Sequence, residues 1–364
     1  QNALYANTLG SDNTAVGYLS LNTSSTGHKN TAIGSNALLN NSAGNNGTAV
    51  GTNSMYYANN TATPFTNANV AVGYEALKGS STPSNNTGNS NTAIGYQAIA
   101  SNTSGSYNTA VGDRSLYTVS SGSNNSAFGE RSLFTVSSGE NNTAIGHQAL
   151  QNSTGNDNTG VGRWALHNLT SGYGNTVIGD NGWPYGTTTY SNYTGIGYAV
   201  GTNVADPSNR VEIGNTSVTW IGGQVTWSTY SDKRIKDNVR EDVPGLDFVM
   251  KLKPVTYNLN IHRQNKLQNG NKAVEMEDWQ GKYDIEKKRM TGFLAQEVAE
   301  AALLTNYDFS GIDIPENEDE LYSLRYAEFV VPLVKAVQEL AEENQQQQKI
   351  IKVLSERIEK LENK

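Results

Sequence analysis

The sequence contains no cysteine, which excludes disulfides, thiolate metal sites and cysteine nucleophiles together. Histidine is almost as scarce. His28, His147, His167 and His262 are the four in the chain, and no two stand at ligand spacing, so no zinc site is expected and no cofactor is assigned. No apolar run approaches the roughly 18–20 residues a membrane helix needs, and membrane insertion is not expected. Charged residues make up only 16% of the chain, with a net charge of -8. That leaves no basic footprint for nucleic acid or an anionic membrane. The hydrophobic share, 36%, is below the usual globular value. So few apolar residues cannot fill several thick cores, while the low charge argues against simple disorder. The chain starts at Gln1 with neither methionine nor a signal sequence, and a processed form or a fragment is expected.

What charge there is lies mostly at one end. Residues 1–230 carry 15 charged residues and residues 231–364 carry 45. With room for two or three domains in 364 residues, a shift that steep marks a boundary close to Ser231.

Glycine is plentiful, at 36 residues against 8 prolines, and much of it recurs in register. Asn13-Thr-Ala-Val-Gly17 returns as Asn30-Thr-Ala-Ile-Gly34, Asn91-Thr-Ala-Ile-Gly95, Asn142-Thr-Ala-Ile-Gly146 and further variants up to Val211-Glu-Ile-Gly214. Successive glycines differ by 17, 17, 22, 22, 17, 17, 17, 16, 17, 18 and 17 residues. A constant step with occasional insertions is the pattern of a solenoid. The Thr-Ala-Ile run predicts a short strand with alanine on one side and threonine and isoleucine on the other. Glycine follows where the backbone turns. Gln97-Ala98-Ile99 and Gln148-Ala149-Leu150 read as a second short strand, and a loop of Asn, Ser, Thr and Gly closes the coil. Stacking aligns the recurrent asparagines into hydrogen-bonding ladders.

These repeats, over residues 13–215, resemble the head repeats of trimeric autotransporter adhesins and the repeat shafts of bacteriophage tail fibres. That resemblance implies three chains side by side, and the small alanines opposite Ile and Val are compatible with close packing between them.

Beyond the repeats, residues 209–230 alternate apolar and polar positions over what reads as two short strands. Then comes Ser231-Asp-Lys-Arg-Ile-Lys-Asp-Asn238. Ser-Asp-x-Arg-x-Lys-x-Asn is similar to the opening of the intramolecular chaperone domain found on endosialidase tailspikes and many phage fibres. Leu252-Lys-Pro-Val-Thr-Tyr257, Gly292-Phe-Leu-Ala-Gln-Glu297 and Tyr326 with Val331-Pro-Leu-Val-Lys-Ala-Val-Gln-Glu-Leu340 follow in that family's order, so the resemblance spans about residues 228–342. Its motif residues here are Asp232, Arg234, Asn238, Gly292, Phe293, Gln296 and Glu297. The resemblance implies a trimeric clamp that aligns three chains, nucleates the fibre and is then released. Release would use Ser231 as nucleophile on the carbonyl of Tyr230, with Lys236 as base.

From Val330 a heptad places Val330, Val337, Asn344, Ile351 and Ile358 at a, and Leu333, Leu340, Gln347, Leu354 and Leu361 at d. Five heptads of this kind predict a coiled coil. The expected organisation is a mainly β repeat shaft, a trimeric β-solenoid, over 1–208 and a β joint over 209–230. An α+β chaperone domain over 231–327 and a coiled coil over 328–364 complete it. The expected partners are two further copies, a host-cell surface glycan or protein receptor, and an upstream fibre or baseplate component, in an extracellular setting on a virion or cell surface.

Three features compete for other roles. The acidic stretch Asp313–Glu320 lacks a recognisable calcium-loop spacing and reads as a solvated loop. Trp183, Tyr185, Tyr190 and Tyr193 interrupt the repeats and read either as packing between chains or as candidate receptor contacts, and the inserts near Tyr56-Tyr57 and Ser80–Asn86 read as decoration on the shaft or receptor contacts. A polysaccharide-degrading tailspike would need clustered carboxylates in a groove, against 9 acids scattered through 230 residues of repeat.

Overall fold

The computed structural model describes residues 2–182, 189–201, 208–225, 227–269, 281–315 and 321–363. The chain divides into two compact units, Gln1–Thr216 and Ser217–Lys364. The division falls ahead of the charge boundary and inside the joint: its strand Val211–Ile213 belongs to the solenoid, and the stretch from Ser217 groups with the second unit.

The first unit is a β-solenoid. Twelve three-residue strands, from Thr14–Val16 to Val211–Ile213, stack in sequence order into one parallel sheet. The register places Thr143 on Ser126, Ala144 on Ala127 and Ile145 on Phe128, and so on along the sheet. The middle residue of each strand points inward. Ala32, Ala93, Ala127 and Ala144 are fully buried within this one chain, beside a column of Leu21, Leu38, Leu116, Leu133 and Leu150. Alanine is there because it meets the chain's own leucines across a narrow core. The alanine face is therefore closed by the chain itself and is not available for packing between chains. The face that stays open is the one carrying Ile and Val.

The opposite wall is not the second strand expected. Gln97 and Ile99, like Gln148 and Leu150, take left-handed φ values of 50–56°, and the segments are turns. Neighbouring coils still bond here, as Ile99 N to Ser115 O at 3.0 Å and Leu150 N to Ala165 O at 2.9 Å. Burial of the leucine column and these rung-to-rung bonds offset the cost of a left-handed aliphatic residue.

The asparagine ladder is present. Asn125 donates its backbone N–H to Asn108 Oδ1 at 3.0 Å, and its Nδ2 reaches Asn108 Oδ1 at 3.1 Å and Gly139 O at 2.8 Å. Asn142 repeats the pattern on Asn125. Each buried amide thus finds partners in the coils on both sides, which is the condition for burying it at all. Where Gly47 replaces the ladder asparagine, Asn67 from the first 22-residue coil fills the space, with its Nδ2 3.0 Å from where a Gly47 Cβ would stand.

The second unit is α+β. Helix α1 (Leu246–Val249) is followed by the strand Val255–Tyr257, which pairs antiparallel with Met290–Gly292. Helix α2 (Ile261–Asn269) lies between them in sequence. Helix α3 (Ala295–Leu304), a two-residue strand pair at Ile312–Asp313 and Ser323–Leu324, and helix α4 (Val330–Glu362) complete it. Phe248, Val298, Ala301, Phe309 and Phe329 form its core. Glu339 of α4 caps α1 by accepting from the Leu246 N–H at 2.7 Å. The joint, expected as two strands, carries one among its described residues, Val211–Ile213. Trp220, Val225, Trp227 and Tyr230 beyond it are 78–93% exposed, since a strand with no neighbour to bond has nothing to fix it.

Candidate functional site

Ser231 and Lys236 meet across one tight turn. Asp232 caps the 3₁₀ turn Lys233–Ile235, its carboxylate accepting from the Arg234 N–H at 2.8 Å. The Arg234 guanidinium grips the same carboxylate, Nε to Oδ1 at 3.0 Å and Nη2 to Oδ2 at 2.6 Å. The chain reverses over this clamp, and the Lys236 Nζ donates to the Ser231 Oγ at 2.7 Å. That is the separation a nucleophile and its base require. With the amine neutral, the hydroxyl becomes the donor.

The electrostatics follow from the clamp. Asp232 is held below the ordinary carboxylate value, first by the Arg234 side chain and then by its backbone N–H, and Arg234 is raised in return. Arg234 is thus compensated by Asp232 and does not act as a bare cation beside Lys236. Residues 231–238 are all exposed, and Tyr230 on the acyl side is 93% exposed. Asn238 leaves the turn with a left-handed φ of 52°, which asparagine tolerates.

The other motif residues form a second group. Gly292 ends its strand against the Tyr326 hydroxyl, where a Cβ would collide. That hydroxyl accepts from the Phe293 N–H at 3.0 Å. The Phe293 ring stacks on Phe329 at 5.2 Å. Gln296 and Glu297 lie in the first turn of α3, with Glu297 3.7 Å from Lys253. Among the described residues, no hydrogen bond or ion pair joins this group to Ser231 or Lys236. It sets the fold of the domain, tying the strand end to the start of α4. The hydroxyl of Tyr326 as its hub was not readable from spacing, because the two partners are 33 residues apart.

Of the aromatic candidates, Trp183 and Tyr185 lie outside the described residues. Tyr193 is a core residue, 1% exposed. Its N–H takes the ladder place on Asn175 Oδ1 at 3.0 Å, its hydroxyl donates to Glu212 at 3.1 Å, and burial raises its pKa. It reaches no outside ligand and is withdrawn as a receptor contact. Tyr190 is half-buried, and its carbonyl accepts from Asn175 Nδ2 at 2.8 Å. In the acidic stretch, residues 316–320 lie outside the described residues, while Asp313 is paired with Arg325 and Ser323.

The two inserts near Tyr57 and Ser80 do come together. Asn86 Nδ2 donates to Tyr57 O and Ser80 O. Between the inserts opens a small crevice with Tyr57, Asn59, Phe65, Asn67 and Asn102 in a lining that holds no charged residue.

A β-solenoid that gives way to an α+β domain opening on a serine–lysine pair fits a tail fibre with a C-terminal chaperone domain. Residues 231–307 match the family described as the chaperone of endosialidase, so the chain carries a domain of that family. The match begins at Ser231 and covers a shorter stretch than the 228–342 of the motif resemblance. No curated protein and no solved structure matches the chain.

Proposed function

We propose that this chain is one third of a homotrimeric extracellular fibre that attaches a phage or phage-like particle to a cell surface, and that its C-terminal domain assembles the trimer and then cuts itself off. The observation that carries the reading is the 2.7 Å contact between Lys236 Nζ and Ser231 Oγ at the first residue of the matched domain.

In the cleavage step a neutral Lys236 amine takes the Ser231 hydroxyl proton as Oγ attacks the Tyr230 carbonyl carbon. The tetrahedral centre collapses, the Tyr230–Ser231 C–N bond breaks, and the Lys236 ammonium returns the proton to the leaving nitrogen. Water then hydrolyses the Tyr230 ester to a carboxylate and frees the Ser231 hydroxyl. Asp232 and Arg234 position the pair without touching the reacting atoms. The exposure of Tyr230 and of the whole turn leaves the scissile bond accessible.

A trimeriser at the C-terminus answers a physical need. Pairing strands between chains is non-local, slow and exposed to aggregation, and holding three chains together raises the effective concentration of the segments that must pair. The α4 stripe supports this role. Val337, Leu340, Ile351, Leu354, Ile358 and Leu361 are 50–71% exposed, while Pro332 and Ala336 on another face are buried. For the receptor, the uncharged crevice between the inserts and the shaft surface around Tyr190 are the candidates, with a glycan or a protein as the ligand.

Denaturing electrophoresis and intact mass of the purified chain test the reading beside Ser231→Ala and Lys236→Ala. The wild type is expected to split between Tyr230 and Ser231 while both variants stay whole. A wild type that stays whole after assembly would make the domain a permanent cap.

A further inference from the structure

The repeat lengthens twice in succession, with 22-residue steps from Gly51 to Gly73 and from Gly73 to Gly95. The extra residues build the crevice between the inserts, and none of its lining belongs to the twelve-stranded sheet. Its walls are fixed by backbone. Phe65–Thr66 pairs in parallel with Gly44–Asn45, Tyr57 N donates to Lys78 O at 2.9 Å and Asn67 N to Asn45 O at 2.9 Å. Two side-chain amides in that lining are only half used. Asn67 is 3% exposed and Asn59 7%. Asn67 Oδ1 accepts from Asn69 Nδ2 at 2.6 Å, and Asn59 Oδ1 accepts from the Thr61 N–H at 2.9 Å, which settles which atom of each amide is oxygen. Among the described residues, neither Nδ2 finds an acceptor. Neither nitrogen is sealed from outside, and the opening that both residues line is this crevice. An amide donor buried without an acceptor is costly. Two in one crevice point to a group that enters from outside.

We propose, resting on the attachment reading above, that this crevice binds the acetamido group of an N-acetylated sugar. Asn59 and Asn67 present N–H donors, so the entering group must carry an acceptor oxygen. The lining holds no charged residue. Nothing there offsets the desolvation of a carboxylate, a phosphate or an ammonium group, which disfavours acidic and basic sugars. Met55 and Leu77, 2% and 7% exposed, share the lining with the amides and suit a methyl group. An acceptor oxygen beside a methyl is the acetamido group. The hydroxyl that replaces it in a plain hexose brings an oxygen but leaves the apolar surface without a partner. The crevice is small and takes this side group, while the sugar ring stays at the mouth against the half-buried rings of Tyr57 and Phe65. A few placed polar groups in an otherwise apolar concavity are what small-ligand sites share. Walls already held by rung-to-rung bonds lower the ordering cost of binding.

Saturation-transfer NMR on the full chain carrying Ser231→Ala tests the site, with the methyl glycosides of N-acetylglucosamine and N-acetylgalactosamine as probes. At least one of the two is expected to bind, with its acetyl methyl the most strongly saturated group. The methyl glycosides of glucose and galactose are expected to bind at least about tenfold more weakly. Asn59→Asp keeps the acceptor for Thr61 and turns the free donor into an acceptor, while Tyr57→Ala removes one wall of the mouth. Each is expected to abolish the acetyl signal and to leave the circular dichroism of the parent. If both variants bind the acetylated probe as the parent does, the crevice is wrong and the attachment reading stands. If neither acetylated probe binds, the crevice holds water alone and the assignment is overturned. Adsorption of the same chain to bacterial surface polysaccharides without acetamido groups then separates the two readings. Adsorption keeps attachment to a glycan, and its absence removes that as well.

Discussion

Gly129 shows how little freedom a single rung allows. Its φ is +133° and a Cβ there would sit 2.6 Å from the Gly146 carbonyl oxygen of the next coil. Gly129→Ala strains its own backbone and pushes the neighbouring coil, so a loss of about 3 kcal/mol is expected in urea unfolding of the full chain. Asn125→Ala acts differently, leaving the Asn142 N–H and the Gly139 carbonyl without their partners in a buried ladder. The expected loss is about 2–4 kcal/mol by the same measurement. In the Ser231 turn, Asp232→Ala removes the cap and the guanidinium clamp together, and self-cleavage is expected to slow roughly ten- to hundredfold through misplacement of the pair. Circular dichroism should stay unchanged. The sign of the pH dependence follows from the depressed Asp232. The clamp is complete above the ordinary value of 3.8 and is lost as pH falls through the lower folded value. An Asp232–Arg234 contact that persists by NMR well below that value would contradict the clamp.

At the scale of elements, the sheet was legible and the wall opposite was not. Thr-Ala-Ile followed by glycine at a fixed step identifies the strands, and the structure has them at Thr14–Val16 through Val211–Ile213. Gln-Ala-Leu has the same apolar alternation, yet its first and third residues sit at positive φ. Nothing in the residue types signals that, because stacking between coils imposes it. The direction of burial was missed for a related reason. Which face a three-residue strand buries depends on the leucine column across the core, 16–17 residues away from its counterparts in neighbouring coils. The serine–lysine contact was legible only through family resemblance, while the Asp232–Arg234 clamp that creates it is local and simple. The leucine column gives an element-scale prediction. Leu133→Ala, at a site with no exposure, should cost about 2–5 kcal/mol in unfolding experiments. Ile351→Asn with Ile358→Asn, both exposed on α4, should leave the helix content intact and lower the mass of the assembled species in light scattering.

For the whole molecule, the shaft and the C-terminal domain raise the same question of what covers an exposed file of aliphatic side chains. The solenoid leaves position three of its strands open, and α4 leaves its a and d positions open. Under the proposed function one answer serves both, namely further copies of the chain. A terminal domain that gathered copies and then cut at its own first residue would leave a shaft already paired along its length. The most direct measurement is native mass spectrometry of the assembled wild type beside Ser231→Ala. The account predicts three intact 39.2 kDa chains for Ser231→Ala and, for the wild type, a trimer of residues 1–230 with residues 231–364 released. A wild type that remains a monomer, or a trimer whose chains are never cut between Tyr230 and Ser231, would contradict it.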